Sequence, residues 1–255
     1  MSPIKNIDHL RVGTTDFERS VAAYASLCGL QPGTETSSSG QRLAKFALAN
    51  LTLCLAETDT DRGILEVCFA VDNIERMGRR LERLGLTPTP TESPTRLSIQ
   101  QRGLHFSFVE KDSERDEHHR DLGPVVYALD HLVIESANPE HTAFLLAAQL
   151  GLDLRMDLSN ANWGARLMFF RCGDLIVEVM HKLGKSPPSE SRDDSFFGLS
   201  WRVADAHAAQ QNFTEHGLEV SAVRDGRKPG TQVFTVKDPV LALPTLILQP
   251  PARPR

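Results

Sequence analysis

The sequence predicts an α+β protein assembled from four copies of a βαβββ module, and three observations carry that prediction. A phrase occurs twice, as Ile7-Asp8-His9-Leu10-Arg11-Val12 and as Leu129-Asp130-His131-Leu132-Val133-Ile134. The histidines stand 131 − 9 = 122 positions apart in a chain of 255, so the second half restarts the first. Each phrase leads from an alternating, strand-like run into a helix-like run that a glycine ends. The same order returns without the histidine near residues 65 and 198.

In the first module, Ile7–Gly13 reads as a strand. Asp16 is placed to cap a helix over Phe17–Cys28, where Phe17, Val21, Tyr24 and Leu27 recur at helical spacing and Gly29 follows. Strands follow at Arg42–Leu48 and Leu51–Ala56. The second module has strand Leu65–Val71, a cap at Asp72-Asn73, helix Ile74–Leu84 ended by Gly85, and strands Leu97–Gln100 and Leu104–Val109. The third has strand Leu129–Glu135, helix Pro139–Leu150 ended by Gly151, and strands near Leu152–Asp157, Ala165–Arg171 and Leu175–Met180. The fourth has strand Gly198–Val203, Asp205 as a cap, helix Ala206–His216 ended by Gly217, and strands near Leu218–Val223, Gln232–Val236 and Thr245–Gln249. The charge-dense run Glu110–Gly123 reads as an exposed linker between the halves, Lys182–Asp194 as a second linker, and Pro250–Arg255 as a frayed tail. The domains expected are therefore 1–113, with modules about 4–58 and 63–111, and 124–250, with modules about 127–182 and 196–250.

Composition narrows the function. Hydrophobic residues make up 40% and charged residues 24%, as in a soluble globular protein. A net charge of −5 with no basic run argues against nucleic acid. No apolar run approaches a membrane span and the N-terminus lacks a signal-peptide core, so a cytoplasmic protein is expected. Cys28, Cys54, Cys68 and Cys172 have no CxxC spacing and sit in apolar runs, which reads as reduced, buried thiols.

The segments IDHLRVGTTDFERSVAAYASLCGL, LEVCFAVDNIERMGRRLERLGL, LDHLVIESANPEHTAFLLAAQLGL and LSWRVADAHAAQQNFTEHGLEV resemble the vicinal oxygen chelate superfamily of glyoxalases, bleomycin-resistance proteins and extradiol dioxygenases. The resemblance implies that modules pair into two glyoxalase-like domains, each an open, cup-shaped mixed sheet with helices outside. It also implies that metal ligands come from the first and fourth strands of each module. The first-strand position falls on His9, Glu66, His131 and Gly198, and the fourth-strand position on Cys54, Ser107, Glu178 and approximately Ile247.

Strand alternation places His9 with Arg11 on one face. By the same parity Glu66, Cys68 and Ala70 face one cup, while His131, Val133 and Glu135, then Gly198, Ser200 and Arg202, face the other. The closing strands add Cys54, His105, Ser107, Glu178 and Met180. His9 and Glu66 are thus candidate metal ligands in the N-terminal cup, and His131 and Glu178 in the C-terminal one. His105 would complete two imidazoles and one carboxylate, a set suited to non-haem iron, but it lies two residues, roughly 6.5 Å, before the ligand position. Arg202 is a candidate for an anionic substrate group and Glu178 an alternative general base. Gly198 and Ile247 offer no ligand, and the last strand lacks the glutamate that the resemblance would place there for ring cleavage.

The expected function is a metal-dependent enzyme of dioxygenase, lyase or isomerase type. It would use a divalent metal (iron, manganese, nickel or zinc) and act on a small oxygenated aromatic or carbonyl compound. The alternative is a metal-free protein that sequesters a small molecule. The expected partner is a small molecule of anionic or aromatic character, and the expected assembly a monomer or homodimer.

Overall fold

The computed structural model describes residues 2–37, 40–60, 62–91, 95–111, 123–184 and 192–252. Most of the Glu110–Gly123 and Lys182–Asp194 linkers, and the end of the tail, lie outside them.

The N-terminal half contains β1 (Ile4–Thr14), α1 (Phe17–Cys28), β2 (Gly33–Thr36), β3 (Arg42–Ala47), β4 (Thr52–Glu57), β5 (Gly63–Val71), α2 (Ile74–Arg83), β6 (Thr89–Pro90), β7 (Arg96–Gln101) and β8 (Leu104–Glu110). The C-terminal half repeats the order with β9 (Ala128–Glu135), α3 (Pro139–Ala143), β10 (Asp153–Asn160), β11 (Ala165–Cys172), β12 (Leu175–Lys182), β13 (Ser195–Arg202), α4 (Ala206–Glu215), β14 (Arg224–Asp225), β15 (Gln232–Val236) and β16 (Thr245–Gln249). Each half forms one mixed, eight-stranded sheet. The orders are β2-β3-β4-β1-β5-β8-β7-β6 and β10-β11-β12-β9-β13-β16-β15-β14. Position by position these are the same sheet, so the chain has two glyoxalase-like sheets of two modules each.

Helix boundaries follow local chemistry. The Asn73 side chain accepts from Arg76 N at 2.7 Å and Asp205 from Ala208 N at 2.9 Å, each satisfying an orphan donor of the first turn. Asp16 does not cap α1. It pairs with Arg19 instead, and Thr14 Oγ1 accepts the Asp16 N–H. Gly29 ends α1 in the left-handed region, at φ +64°, as a C-terminal glycine is expected to.

The structure departs from expectation in three ways. The helix over Pro139–Leu150 is α-helical only to Ala143 and widens to a π-helix over Phe144–Gln149. The wider turn lets Leu145, Leu146 and Leu150 all be buried while Phe144 is left 59% exposed. The strand expected over Leu218–Val223 reduces to a single bridge, Val220 to Val236, because only Leu218 of that run is buried at the sheet margin. The short edge strands β2, β6 and β14 have almost no buried residues, so apolar alternation does not mark them.

Packing groups the described residues into two compact units. One comprises Met1–His9, Glu66–Glu114 and His131–Phe197. Within it, Arg80 donates to the carbonyls of Ala148 and Gln149, Gln149 returns a bond to Leu84 O, and Phe106 meets Phe196 edge-on at 5.6 Å. Asp194, buried there, accepts from Ala137 N and Thr142 Oγ1 and pairs with Arg102.

The other unit comprises Leu10–Leu65, Arg115–Asp130 and Gly198–Arg255. There Ser20 and Tyr24 of α1 donate to Val240 O and Leu241 O, and the Asn50 amide exchanges two bonds with the Leu129 backbone.

Candidate metal centres of the two sheets

Strand register builds both sites. In the N-terminal sheet, Cys68 on β5 and Ser98 on β7 are both in register with Ser107 on β8. In-register residues share a face, so Glu66, Cys68, Arg96, Ser98 and Ser107 lie on one side. His9 meets this group from β1. Its Nδ1 is 2.8 Å from Asp8 Oδ2, and its Nε2 is 3.5 Å from Arg96 Nη2. The same nitrogen of Arg96 donates to Glu66 Oε1 and, at 3.1 Å, to Ser107 Oγ. His9 and Glu66 therefore come together as the parity argument expected, with a guanidinium between them.

The surrounding charges are paired. Lys111 Nζ is 2.8 Å from Asp8 Oδ1. Burial by itself would push the Asp8 carboxyl up, but hydrogen bonds from His9 and Lys111 hold it well below the usual carboxylate range. An ionised carboxylate only accepts, so Nδ1 of His9 carries the proton and Nε2 turns its lone pair toward Arg96. Burial pushes the Cys68 thiol up to about 12, against a hydrogen bond with Ser107 and the charge of Arg96, so it stays protonated at neutral pH. Asp8, His9 and Cys68 have donor atoms within 4.8 Å of one another, the one such cluster of three among the described residues. His105 is not brought into it. It sits two residues from Ser107, paired in register with Gln100.

A divalent ion does not fit this site. Its donors would need to lie at about 2 Å, and the space between His9 Nε2, Glu66 and Ser107 is held by the cationic Arg96 Nη2. Arg96 escaped the sequence reading because it stands at the first residue of a short strand. The available signal was Glu66, an acid in the apolar run Leu65–Val71 that required a cation.

In the C-terminal sheet, β12 runs parallel to β9 with Ile176 opposite His131 and Glu178 opposite Val133. Glu178 is two residues from Ile176 and so shares the face of His131. Their atoms Nε2 and Oε2 lie 3.7 Å apart, with the side chains 18% and 11% exposed. That spacing suits two ligands of one ion. Among the described residues no third histidine, cysteine or acid completes the cluster.

Arg202 binds Asp130 Oδ1 at 2.8 Å, and Glu135 takes Lys182 through both oxygens at 2.7 and 2.8 Å. Gly198 has no room for a ligand, because a Cβ there would stand 2.6 Å from Pro244 O. Arg166 is held by Asp157 and Glu140, and Trp163 is exposed on a short 3-10 turn. The loop Asp225–Gly230 closes as a hairpin through Gly226 N to Thr231 O.

Residues 130–235 match the profile of the Glyoxalase/Bleomycin resistance protein/Dioxygenase superfamily. The chain as a whole shares its fold with solved structures over nearly its full length. The 2,3-dioxygenase LapB from Pseudomonas sp. KL28 superposes with a TM-score of 0.75 at 15% identity, covering 100% of this chain and 95% of that one. The S221M V223F Y359A mutant of 4-hydroxymandelate synthase from Streptomyces coelicolor gives 0.73 at 14%, covering 100% and 95%. The Mn(II)-bound glyoxalase from Novosphingobium aromaticivorans gives 0.70 at 17%, covering 98% and 83%. Comparison with curated proteins gave no match.

Proposed function

We propose that the protein is a metal-dependent enzyme acting on a small oxygenated compound by oxygenase, lyase or isomerase chemistry, with its working centre in the C-terminal sheet. The observation that carries this reading is the His131–Glu178 pair. It is an imidazole and a carboxylate, 3.7 Å apart and largely buried, within the segment that matches the superfamily profile. The similar folds include one named a dioxygenase and a glyoxalase bound to manganese, which supports a divalent ion.

His131 Nε2 and Glu178 Oε2 would hold the ion, leaving the rest of its coordination to solvent and substrate. Such an ion supplies Lewis-acid polarisation of adjacent substrate oxygens. Glu178 can accept a proton from a carbon or hydroxyl beside the site if it is not a ligand. Arg202, tied to Asp130, is a positioned cation that would favour a substrate with an anionic group. The functional division follows the sheets, at about residues 1–113 and 124–250.

The test is metal content after purification without chelator, in wild type and in His131→Ala and His9→Ala variants. The expected result is about one transition-metal ion per chain, retained in His9→Ala and lost in His131→Ala. A wild-type protein that neither carries nor takes up iron, manganese, nickel or zinc would overturn the reading in favour of a metal-free ligand-binding cup.

A further inference from the structure

Three acceptors in the N-terminal sheet converge on one nitrogen. His9 Nε2 at 3.5 Å, Ser107 Oγ at 3.1 Å and Glu66 Oε1 all address Arg96 Nη2. An NH2 group has two protons, so three acceptors around it exceed what hydrogen bonding to a planar nitrogen calls for. They surround one cationic nitrogen with lone-pair atoms from three different strands.

The histidine is prepared in the same sense. Asp8 fixes the Nδ1 proton and frees the Nε2 lone pair, the orientation by which a carboxylate readies a histidine to ligate a metal. Asp8 is itself anchored by Lys111. Glu66, with its side chain only 5% exposed, would be a costly buried charge without a cation against it. Arg96 supplies that cation from β7, reaching across Ser107 on β8.

We propose that Arg96 is an internal cation standing in the metal position of the N-terminal sheet. This half is closed to metal ions as folded and holds a latent divalent-metal site that removal of Arg96 uncovers. The ligands of that site are His9 Nε2 and Glu66, with Ser107 Oγ beside them. A set built on an imidazole and a carboxylate selects a borderline ion such as zinc or cobalt(II) rather than magnesium or calcium. The inference does not depend on the C-terminal sheet binding a metal.

The experiment is carried out in the full chain with His131→Ala and Glu178→Gln present throughout, so that the C-terminal pair contributes nothing. Cobalt(II) is titrated in, followed by visible absorption and by the melting temperature. With Arg96 intact, no cobalt uptake is expected. With Arg96→Met, about one cobalt per chain is expected, with d–d bands of a protein-ligated ion and a raised melting temperature. Adding His9→Ala to Arg96→Met abolishes both signals.

Two results overturn the proposal. One is cobalt uptake with Arg96 in place that His9→Ala removes. The other is a folded Arg96→Met protein that takes up none. If Arg96→Met is unfolded without metal, refolding with cobalt gives the same decision: recovery of the folded protein supports the latent site, and no recovery overturns it.

Discussion

At the residue scale, the two Asp-His pairs show how one motif meets two environments. Asp8 orients His9 and is braced by Lys111, whereas Asp130 holds Arg202 and His131 faces Glu178. Asp8 gives a prediction with a definite sign. Its folded-state pKa is depressed below the unfolded value, so its contribution is complete above about pH 4 and is lost as pH falls through the folded value. Asp8→Asn should therefore cost roughly 2 kcal/mol at neutral pH. It should also show a shallower loss of stability below about pH 4 than wild type. Melting temperatures of the two proteins between neutral and acid pH check this. A cost that stays constant at all pH values would show that the carboxylate charge is not responsible.

At the scale of elements, close approach between β13 and the turn before β16 explains a gap in the candidate site. Gly198 stands at one of the four first-strand positions considered for a ligand, yet a Cβ there would meet Pro244 O at 2.6 Å and Pro244 Cβ at 3.2 Å. Gly198→Glu should consequently destabilise the protein by about 2 kcal/mol or more through backbone displacement. It should not raise metal affinity. Denaturant unfolding and a metal titration read the two effects separately, and an unchanged midpoint would refute the steric account.

The turn between β3 and β4 carries a second element-scale prediction. The Asn50 amide spans to the start of β9 with bonds of 2.8 Å to Leu129 O and 2.9 Å from Leu129 N. Asn50→Ala leaves both backbone groups buried and unsatisfied, for an expected loss of about 2–3 kcal/mol. Asn50→Asp should recover only the bond it accepts, and equilibrium unfolding of the three proteins ranks them.

At the scale of the whole molecule, two sheets of the same strand order carry different electrostatics on corresponding faces. One has a closed Asp-His-Arg-Glu chain and the other a His-Glu pair. The cysteines give a global readout of packing. All four cysteines are buried, and burial pushes Cys28 and Cys68 up to about 12. A thiol reagent should therefore react with none of them in the native protein and with all four after unfolding, in a single phase if unfolding is cooperative. Rapid native labelling of any one would show local opening of its strand or helix. No helix among the described residues is long and apolar enough to cross a membrane.

The sequence by itself determined the module, its fourfold recurrence and the candidate histidines and acids. Those signals are local: alternation in strands, helical spacing in Phe17–Cys28, caps at Asn73 and Asp205, and glycines after the helices. Strand parity chose the face within each strand, and the resemblance to the superfamily grouped His9 with Glu66 and His131 with Glu178.

Only the tertiary structure decided what those faces hold. Arg96 reaches Glu66 from two strands away in the sheet and 30 positions away in the chain, a pairing that no periodicity encodes. The lack of space at Gly198 depends on Pro244, 46 positions later. The π-helical turn at Phe144 reflects the need to bury three leucines together, a packing demand that overrides the α-helical preference of the segment. Secondary structure was legible because its causes lie within a few residues. The chemistry of the two sites was not, because it depends on which distant side chain fills the space between the strands.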